Sequence, residues 1–318
     1  MRKSIYLITA IIISLILWNF SSQKQIVPEI IQPEEHSNIS DFDCYNFKSK
    51  YFVTVRNCKN AVLKVSVYLP DDIYGKQTVR DINFSPAPKN IISENGNKIA
   101  NFEIDNPDKQ TLIEITGQVE VKTYDFESAS QNPIADELSE YERKKYLSPE
   151  PFIESDDSNI VKVAEKLRDI DEVHTVNNIY TFVQRNMRYT NKKETIGAKG
   201  MLKKQKGKCT DYAMLMVALC RANGIPARIV SGRIIDDNSQ NHTWVEVWFE
   251  KYGWVTFEPT IISNFKYDFK QSPYKYLTLG KDITSTIVVK LKVFSEDNRP
   301  RPDIVFALEE QAEFDPVK

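Results

Sequence analysis

A helix that must be buried is the strongest constraint that this sequence places on its fold. From Thr210 onward no helix-breaking residue occurs until Asn223-Gly224, and Pro226 prevents the helix from resuming. Between these limits, residues 213–220 are apolar on nearly every face of the helix. A helix that is apolar all round is buried, so we expect the neighbouring segments to pack over it.

Cys209 immediately precedes this helix, and Gly207 gives the chain a flexible approach to it. Unpaired N–H groups and the helix dipole at a helix N-terminus favour a thiolate and lower the pKa of a thiol. Cys220 lies further along the same helix, at a distance of roughly 16 Å along its axis. A disulfide needs Cα atoms closer than about 7 Å, so we interpret Cys220 as core. Taken alone, a cysteine beside a buried helix would be interpreted as a small hydrophobic residue.

A histidine and a carboxylate lie next to the ends of the strands that are predicted after the helix. These three strands comprise residues 227–235, 243–249 and 254–257. Adjacent antiparallel strands can place His242, near the start of one, beside Glu258, near the end of the next. A thiol becomes a nucleophile when a neighbouring base takes its proton and a third group orients that base. The other two histidines, His36 and His174, lack such neighbours and are predicted to face solvent.

Four motifs occur in chain order around these residues. They are Gly-Lys-Cys-Thr-Asp-Tyr-Ala at 207–213, Gly-Ile-Pro-Ala-Arg at 224–228, His-Thr-Trp-Val-Glu-Val at 242–247 and Trp-Val-Thr-Phe-Glu-Pro-Thr at 254–260. Together they resemble the bacterial transglutaminase-like superfamily, whose catalytic core is papain-like, over roughly residues 140–262. The resemblance implies that Cys209 is the nucleophile, His242 the general base and Glu258 the orienting acid.

One position departs from the family pattern, because the family usually has Asp before Pro-Thr where this chain has Glu258. Glutamate reaches one methylene further, so the end of the strand must sit slightly back for the histidine geometry to be kept. The donor that would stabilise an oxyanion is left open between two residues. Gln205 is close to the cysteine in sequence, and Tyr189 lies in a Met-Arg-Tyr segment that such families often show before it. The alternatives are a solvated loop for Gln205 and core for Tyr189.

Residues 1–20 are predicted to direct export, and residues 21–42 to form a linker. Residues 1–20 begin with Arg2-Lys3 and continue as an uncharged, mostly apolar run. Such a segment is either a removed signal peptide or, at the short end of what spans a bilayer, an uncleaved membrane anchor. The anchor is slightly favoured because no Ala-x-Ala cleavage pattern follows. The basic flank places the body of the protein outside the cytoplasm, and residues 21–42 have the composition of a polar tether.

Residues 43–127 are predicted to form a β-rich domain. They contain four runs of β-branched and aromatic residues, separated by turns at intervals typical of a β-sandwich, at 51–55, 61–68, 99–104 and 111–121. Cys44 and Cys58 lie in this domain, and outside the cytoplasm they could form a disulfide. We expect the domain to pack against the catalytic domain and to shape its cleft.

The remaining segments complete the predicted organisation of the chain. They are a polar connector at 128–158, a catalytic domain at 159–262 with preceding helices at 159–168 and 176–187, and an extension at 263–318 with one strand at 284–294 and a charged tail. The predicted fold class is α+β, with a papain-like transglutaminase core in which a buried helix packs on an antiparallel sheet. A β-sandwich-like domain precedes this core.

Charge and motif content exclude several classes of function. The formal net charge is −2 and no dense basic stretch occurs, which gives nucleic-acid binding little support. No phosphate-binding glycine loop and no closely spaced Cys and His ligands occur in the sequence, so neither a cofactor nor a metal is expected. Contact with a membrane is expected only through the N-terminal segment.

The sequence therefore predicts an exported enzyme that acts on a protein or peptide substrate of the cell envelope through a thioester. Resolution by water would make it a cysteine protease or amidase, and resolution by an amine would make it a crosslinking enzyme. Hydrolysis is slightly favoured, because no residue indicates a dedicated amine site. The alternative is a catalytically weak scaffold that binds envelope peptides or glycans. A purely structural exported β protein would leave the coincident motifs unexplained.

Overall fold

The structure is a computed structural model that describes residues 43–56, 61–122, 137–191, 194–235, 241–260, 275–293 and 305–317. The predicted export segment, His36 and Cys58 lie outside these residues, so the predicted disulfide is not tested. Within the described residues, no helix is long and apolar enough to cross a membrane.

The described elements form three groups along the chain. The first group has six strands: β1 (Asp43–Arg56), β2 (Ala61–Leu69), β3 (Gln77–Ser85), β4 (Asn90–Glu94), β5 (Asn97–Asp105) and β6 (Gln110–Val121). The second is mainly helical: α1 (Glu140–Leu147), α2 (Ser158–Leu167), α3 (Glu172–Asn186), β7 (Arg188–Tyr189), α4 (Gly197–Lys204), β8 (Lys206–Gly207) and α5 (Cys209–Ala222). The third has only strands: β9 (Ala227–Ile234), β10 (His242–Phe249), β11 (Gly253–Phe257), β12 (Tyr276–Lys281), β13 (Ile287–Val293) and β14 (Val305–Pro316).

The N-terminal strands build a β-sandwich, as predicted. Its two antiparallel sheets have the strand orders β14-β1-β6-β3 and β13-β2-β5-β4. In β2, every second side chain from Ala61 to Leu69 is buried, which is the alternation of a strand with one face toward a core. The inner faces of both sheets share one hydrophobic core, which includes Tyr51, Val53, Leu63, Val65, Phe102 and Ile113.

The segment predicted to be the catalytic domain is a buried helix packed on an antiparallel sheet, which confirms the predicted fold class. The sheet has the order β11-β10-β9-β12. Every residue of α5 from Thr210 to Arg221 is buried, because α2, α3 and α4 cover the faces of α5 that β9 and β10 leave open. The apolar residues at 213–220 therefore form the centre of the core, as expected of a helix without a polar face.

The strand predicted at 284–294 is present as β13, but the prediction that it is the single strand after residue 263, followed by a charged tail, is wrong. The structure has three strands there, of which β12 joins the catalytic sheet and β13 and β14 join the two sheets of the sandwich. The strand β14 pairs with β1 along twelve residues, from Tyr45↔Pro316 to Arg56↔Val305. Most of its described side chains are exposed or half-buried, so backbone pairing, which leaves little hydrophobic pattern, determines where this edge strand lies.

The polar connector before the catalytic domain contains a helix that was not predicted. The helix α1 begins with a capping box, in which Ser139 Oγ accepts from Glu142 N–H and the Glu142 carboxylate accepts from Ser139 N–H. It buries only Tyr146. A helix with one buried side chain has no apolar stripe, and for this reason its composition resembles that of a linker.

A buried carboxylate in β10 joins the sandwich to the catalytic sheet. Glu246 Oε1 accepts from Lys76 Nζ at 2.6 Å, and Oε2 accepts from Arg228 Nη2 at 2.7 Å and Nε at 2.9 Å. Burial raises the pKa of Glu246, but the charges of Lys76 and Arg228 outweigh it and lower the pKa to about 2. Lys76 precedes β3 of the sandwich, so the buried pairing fixes one domain against the other.

Candidate active site

Cys209 is the first residue of α5 and is held there by a buried carboxylate one turn into the helix. Asp211 Oδ2 accepts from Lys208 N–H at 3.1 Å, and Oδ1 accepts from Ile196 N–H at 2.7 Å and Gly197 N–H at 3.1 Å. Three backbone donors therefore satisfy the carboxylate. Asp211 thereby fixes the turn that presents the thiol, at the end of the helix where N–H groups are unpaired.

Gly207 permits the close approach of the chain to α5 before Cys209. A Cβ atom at this position would lie 2.7 Å from both Asp211 Cβ and Met201 Sδ. Only glycine fits in this space, so the residue serves close packing in addition to the flexible approach expected from the sequence.

His242 and Glu258 are brought together by the register of the catalytic sheet. The strand β10 begins at His242, and β11 pairs with it up to Val245↔Phe257, so that Glu258 follows directly. His242 Nε2 and Glu258 Oε2 are 2.7 Å apart, and both side chains are buried. The second oxygen, Glu258 Oε1, accepts from Thr260 N–H at 2.9 Å. The glutamate thus meets the histidine with full hydrogen-bond geometry despite its extra methylene.

The imidazole of His242 is held by aromatic side chains that the sequence analysis did not identify. Its ring stacks on Trp244 at a centroid distance of 6.3 Å and an interplanar angle of 18°. Trp244 in turn packs on Tyr276 at 4.5 Å, and Tyr276 Oη donates to Glu258 Oε2 at 3.2 Å. Tyr276 reaches the site because β12 pairs with β9. That long-range pairing leaves no local signal in the sequence.

Cys209 and His242 share a hydrogen bond that changes the pKa of both groups. Burial raises the pKa of the Cys209 thiol, but the hydrogen bond and charge of His242, with a hydrogen bond from Thr243 N–H, outweigh it and lower that pKa. Burial lowers the pKa of His242, but the charge of Glu258 and hydrogen bonds to Cys209 and Glu258 raise it overall. Because Glu258 occupies Nε2, Nδ1 is the nitrogen left for Cys209. The opposite shifts favour a thiolate–imidazolium pair.

The pair lies in a polar cleft of about 260 Å³. The cleft is lined by Tyr189, Asn191, Lys208, Cys209, Thr210, Ser231, Asn241, His242, Thr243, Thr284 and Thr286. Cys209 is only half-buried, so a substrate can reach its sulfur from solvent. Thr284 and Thr286 belong to the C-terminal segment, which therefore contributes one wall of the cleft.

The two candidate oxyanion donors occupy different positions. Tyr189 is 53% exposed and lines the cleft, so its interpretation as core is wrong. The short pair of β7 and β8 places Tyr189 opposite Gly207, two residues before the cysteine. Burial and the charge of Cys209 raise the pKa of Tyr189. Gln205 is exposed at the end of α4 with a left-handed backbone (φ 53°) and is not among the described residues that line the cleft.

Other polar groups near the cleft do not form a metal site. Among the described residues, no group of three or more His, Cys, Asp or Glu side chains could hold a metal ion. His174 is exposed and pairs through Nδ1 with Asp171 at 2.8 Å in the first turn of α3, in agreement with its predicted contact with solvent. The site therefore consists of one thiol, one imidazole and one carboxylate in a hydrogen-bonded chain.

Comparison with known proteins identifies the class to which this site belongs. Residues 161–259 match the sequence profile of the Transglutaminase-like superfamily, so this segment is a transglutaminase-like domain. A solved structure from Cytophaga hutchinsonii, provisionally described as a cysteine protease, has a TM-score of 0.59 at 15% identity. The structural match covers 87% of this chain and 99% of the Cytophaga hutchinsonii chain, so the two share a fold over most of their lengths.

Two curated proteins are similar in sequence over part of the catalytic domain. The uncharacterised protein YebA of Bacillus subtilis is 33% identical over 98 residues, which cover 26% of this chain and 13% of that protein. A protein-glutamine gamma-glutamyltransferase of Pseudomonas aeruginosa is 33% identical over 87 residues, which cover 23% of this chain and 13% of that protein. This chain thus spans only 13% of the length of either relative.

Iodoacetamide is expected to label Cys209 selectively. The lowered pKa of Cys209 leaves more of its thiolate at a given pH than an ordinary thiol would have, so its labelling should extend to lower pH than that of an ordinary thiol. Cys44 is also half-buried and serves as the control for access, after reduction with a phosphine. Peptide mapping after brief alkylation at several pH values measures both rates. Equal labelling of the two residues at pH 6 would contradict an activated thiol.

Tyr276→Phe is expected to slow alkylation and turnover by roughly threefold to tenfold, because one hydrogen bond to a charged carboxylate is lost. Tyr74→Phe, at a tyrosine that is 88% exposed, is the control. The informative measurement is the pH profile of alkylation. If Tyr276 orients Glu258, Tyr276→Phe should shift the alkaline limb of this profile. If the role of Tyr276 is purely structural, the substitution should change only the midpoint of thermal unfolding.

Proposed function

We propose that this protein is a cysteine-dependent acyl-transfer enzyme that acts on amide or peptide bonds of polypeptides. The observation that carries the proposal is the hydrogen-bonded chain from Cys209 through His242 to Glu258, in a cleft that leaves the sulfur accessible. The thiol has a lowered pKa and its neighbouring base a raised one, as a nucleophile and its base require. The match of residues 161–259 to the Transglutaminase-like superfamily agrees with this chemistry.

In the first half of the proposed reaction, the Cys209 thiolate attacks the carbonyl carbon and a carbon–sulfur bond forms. The carbonyl oxygen becomes an oxyanion. As this intermediate collapses, the carbon–nitrogen bond breaks, and the imidazolium of His242 donates its proton to the leaving amine. The products of this half are a thioester on Cys209, a neutral His242 and a free amine.

In the second half, His242 takes a proton from water, and the resulting hydroxide attacks the thioester carbon. The carbon–sulfur bond breaks, Cys209 leaves as a thiolate, and a carboxylic acid is released. The thiolate–imidazolium pair is thereby restored. Throughout both halves, Glu258 keeps the proton of Nε2 in place and stabilises the positive charge on the ring.

The oxyanion needs donors on the side of the cleft that faces the carbonyl oxygen. We assign this role to the hydroxyl of Tyr189 and to the backbone N–H of Cys209 at the start of α5. Tyr189 lines the cleft and interacts electrostatically with Cys209. The exposed Gln205, which does not line the cleft, is a weaker candidate.

Transfer to an amine in place of water is the second candidate function. Its support is the similarity to the glutamyltransferase of Pseudomonas aeruginosa. An amine that attacked the thioester would give a new amide bond, and a lysine side chain would give an isopeptide crosslink. We place hydrolysis first, because the described residues that line the cleft include no carboxylate that would attract an ammonium group.

The site of action is proposed to be outside the cytoplasm, on proteins or peptides of the cell envelope. The support is the basic and apolar character of residues 1–20 and the polar tether that follows them. In this proposal the N-terminal segment is the only part that contacts a membrane.

The proposed function is tested by trapping the thioester. The protein is mixed with a library of peptides and envelope fragments, quenched in acid and measured by intact-mass spectrometry. We expect a mass increase equal to one acyl fragment, mapped to Cys209. Product analysis with and without added lysine then separates hydrolysis, which gives the free acid, from transfer, which gives the amide. Failure of every fragment to form an adduct would favour a binding scaffold.

A further inference from the structure

A second cavity, of about 310 Å³, lies beside the active-site cleft between the sandwich and the catalytic core. This volume is at the lower end of the range for ligand pockets, about 300–1,000 Å³, and suits one large side chain. Its walls are mainly apolar and include Phe152, Ile153, Met214, Ile283 and Val288. The five side chains come from the loop before α2, from α5, from the segment that leads into β13 and from β13 itself.

The cavity adjoins the cleft at Thr284, in the segment that leads into β13. Thr284 lines both spaces, Thr286 lines the cleft, and Val288, two residues further on, lines the cavity. The position of this segment is fixed, because Ser231 Oγ donates to Ile283 O at 2.6 Å. A chain bound in the cleft that continued past Thr284 would meet the cavity.

The distance between the nucleophile and the cavity corresponds to a few residues of extended peptide. Cys209 and Met214 lie five residues apart on the same helix, about 7.5 Å along its axis and roughly 140° around it, so their Cα atoms are about 9 Å apart. An extended chain rises about 3.3 Å per residue. A side chain located roughly two to four residues from the reacting carbonyl would reach the cavity.

Two apolar side chains of the cavity wall are exposed to an unusual degree. Phe152 is 49% exposed and Val288 is 41% exposed. Phe152 also has a left-handed backbone with φ 70°, which is rare for a bulky residue. Ala198 N–H donates to Phe152 O at 2.8 Å, which holds the strained residue in place. Strain of this kind concentrates at ligand sites, where the surrounding structure maintains it.

The charged side chains at the cavity are already paired. Glu150 Oε1 accepts from Arg221 Nη1 at 2.7 Å, and Asp282 Oδ2 accepts from Lys145 Nζ at 2.6 Å. Neither carboxylate needs a cation from a ligand. The apolar walls and the neutralised carboxylates favour an uncharged apolar group as the occupant.

We propose that this cavity binds an aromatic or large aliphatic side chain of the polypeptide substrate, two to four residues from the bond that Cys209 attacks. The proposal rests on the proposed function, because it takes Cys209 as the nucleophile. Transfer of the side chain from water to the apolar walls supplies binding free energy in proportion to the apolar area buried. The enzyme would thereby select its substrates by sequence as well as by bond type.

Two series of reactive peptides test the proposal. Peptidyl chloromethyl ketones extend to the N-terminal side of the reacting carbon, and N-iodoacetyl peptides extend to the C-terminal side. Each series places Phe, Leu, Ala or Glu at the second, third or fourth position in a glycine background. The second-order rate of Cys209 modification is read by intact mass. We expect Phe and Leu to exceed Ala and Glu by roughly tenfold to a hundredfold at one position of one series.

Variants of the cavity wall identify where the preference arises. Val288→Asp and Phe152→Gly should each remove most of the preference for Phe, and the glycine also tolerates the left-handed backbone. The matched control is Ile91→Asp, because Ile91 is 44% exposed in β4, at the other edge of the same sheet as β13. This control should keep the preference, and circular dichroism should show all three variants to be folded.

The rate at which iodoacetamide labels Cys209 distinguishes an error in this proposal from an error in the proposed function. Iodoacetamide carries no peptide, so its rate reports only on the activated thiol. Normal labelling of Cys209 by iodoacetamide, combined with equal rates for Phe and Ala at every position, would overturn the cavity proposal alone. An unchanged Phe preference in folded Val288→Asp and Phe152→Gly would also overturn it. Absence of selective iodoacetamide labelling would instead contradict the proposed function.

Discussion

Cys209→Ala is expected to abolish acyl transfer, with a loss in turnover of more than about 10⁴-fold. The substitution removes the only sulfur that the described structure places beside His242 in the cleft. Stability should change little, because Cys209 is half-buried at the end of α5 and alanine suits a helix. Turnover of the substrate found by thioester trapping and the midpoint of thermal unfolding are the two measurements.

Cys220→Ala is the matched control for this substitution. Cys220 is fully buried in the same helix, and burial, partly offset by the charge of Arg221, raises its pKa. Its replacement should leave turnover unchanged and destabilise the fold by about 1 kcal/mol, because a buried sulfur is lost from the core. The opposite pattern, with turnover intact in Cys209→Ala and lost in Cys220→Ala, would show that the nucleophile had been misassigned.

The elements of the fold that the sequence predicted correctly are those with a recognisable local pattern of residues. The helix α5 has an apolar run, a first-turn acid and a clear stop, and the structure buries it as expected. The strands β9, β10 and β11 follow at short intervals, so their antiparallel order was the simplest one available. The geometry that joins His242 to Glu258 is a direct consequence of that order.

The part that sequence missed depends on pairing between distant segments. The strand β14 joins β1 from the opposite end of the chain, and its side chains carry too little apolar periodicity to indicate a strand. The strand β12, which supplies Tyr276, likewise depends on a distant pairing, with β9. The strand predicted at 284–294 contained Thr284 and Thr286, but nothing in its pattern placed these two residues beside the cleft. Local sequence pattern therefore could not predict that these segments form walls of the site.

The misinterpretation of Tyr189 as core has a related physical cause. Tyrosine is intermediate in how often it is buried, and the sequence neighbours of Tyr189 give no sign of a cleft. Its exposure follows from the two-residue pairing of β7 with β8, which holds Tyr189 opposite Gly207. A pairing this short has no periodicity that could predict it.

Glu258→Gln is expected to lower turnover by roughly ten- to a thousandfold with little change in stability. In serine proteases, the corresponding loss of charge lowers turnover by about 10⁴. A cysteine enzyme should lose less, because its thiolate forms more easily. Although burial by itself lowers the pKa of His242, the charge of Glu258 raises it. Without that charge the imidazolium loses its proton at lower pH, so the alkaline limb of the alkylation profile should move to lower pH.

Normal turnover and an unchanged alkylation profile in Glu258→Gln would show that Glu258 is not the third member of the site. Asp236 and Asp237, which precede His242 in sequence and lie outside the described residues, would then be the next carboxylates to replace. The amide side chain of this variant could keep the shape of the site, since its oxygen can still accept from the imidazole. The comparison therefore isolates the charge from the hydrogen bond.

Glu258→Asp introduces the usual residue of the family. It tests whether the backbone is fixed around the longer glutamate side chain or can move to accept a shorter one. Removal of one methylene shortens the side chain by about 1.5 Å. The present contacts are 2.7 Å to His242 Nε2 and 2.9 Å to Thr260 N, so an unmoved aspartate would fall outside hydrogen-bond range of both. We therefore expect Glu258→Asp to lose activity as Glu258→Gln does, and to show the same shift in the alkylation profile. Activity equal to that of the wild type would mean that the end of β11 moves forward to restore the contact, and that the backbone is not fixed around the longer side chain.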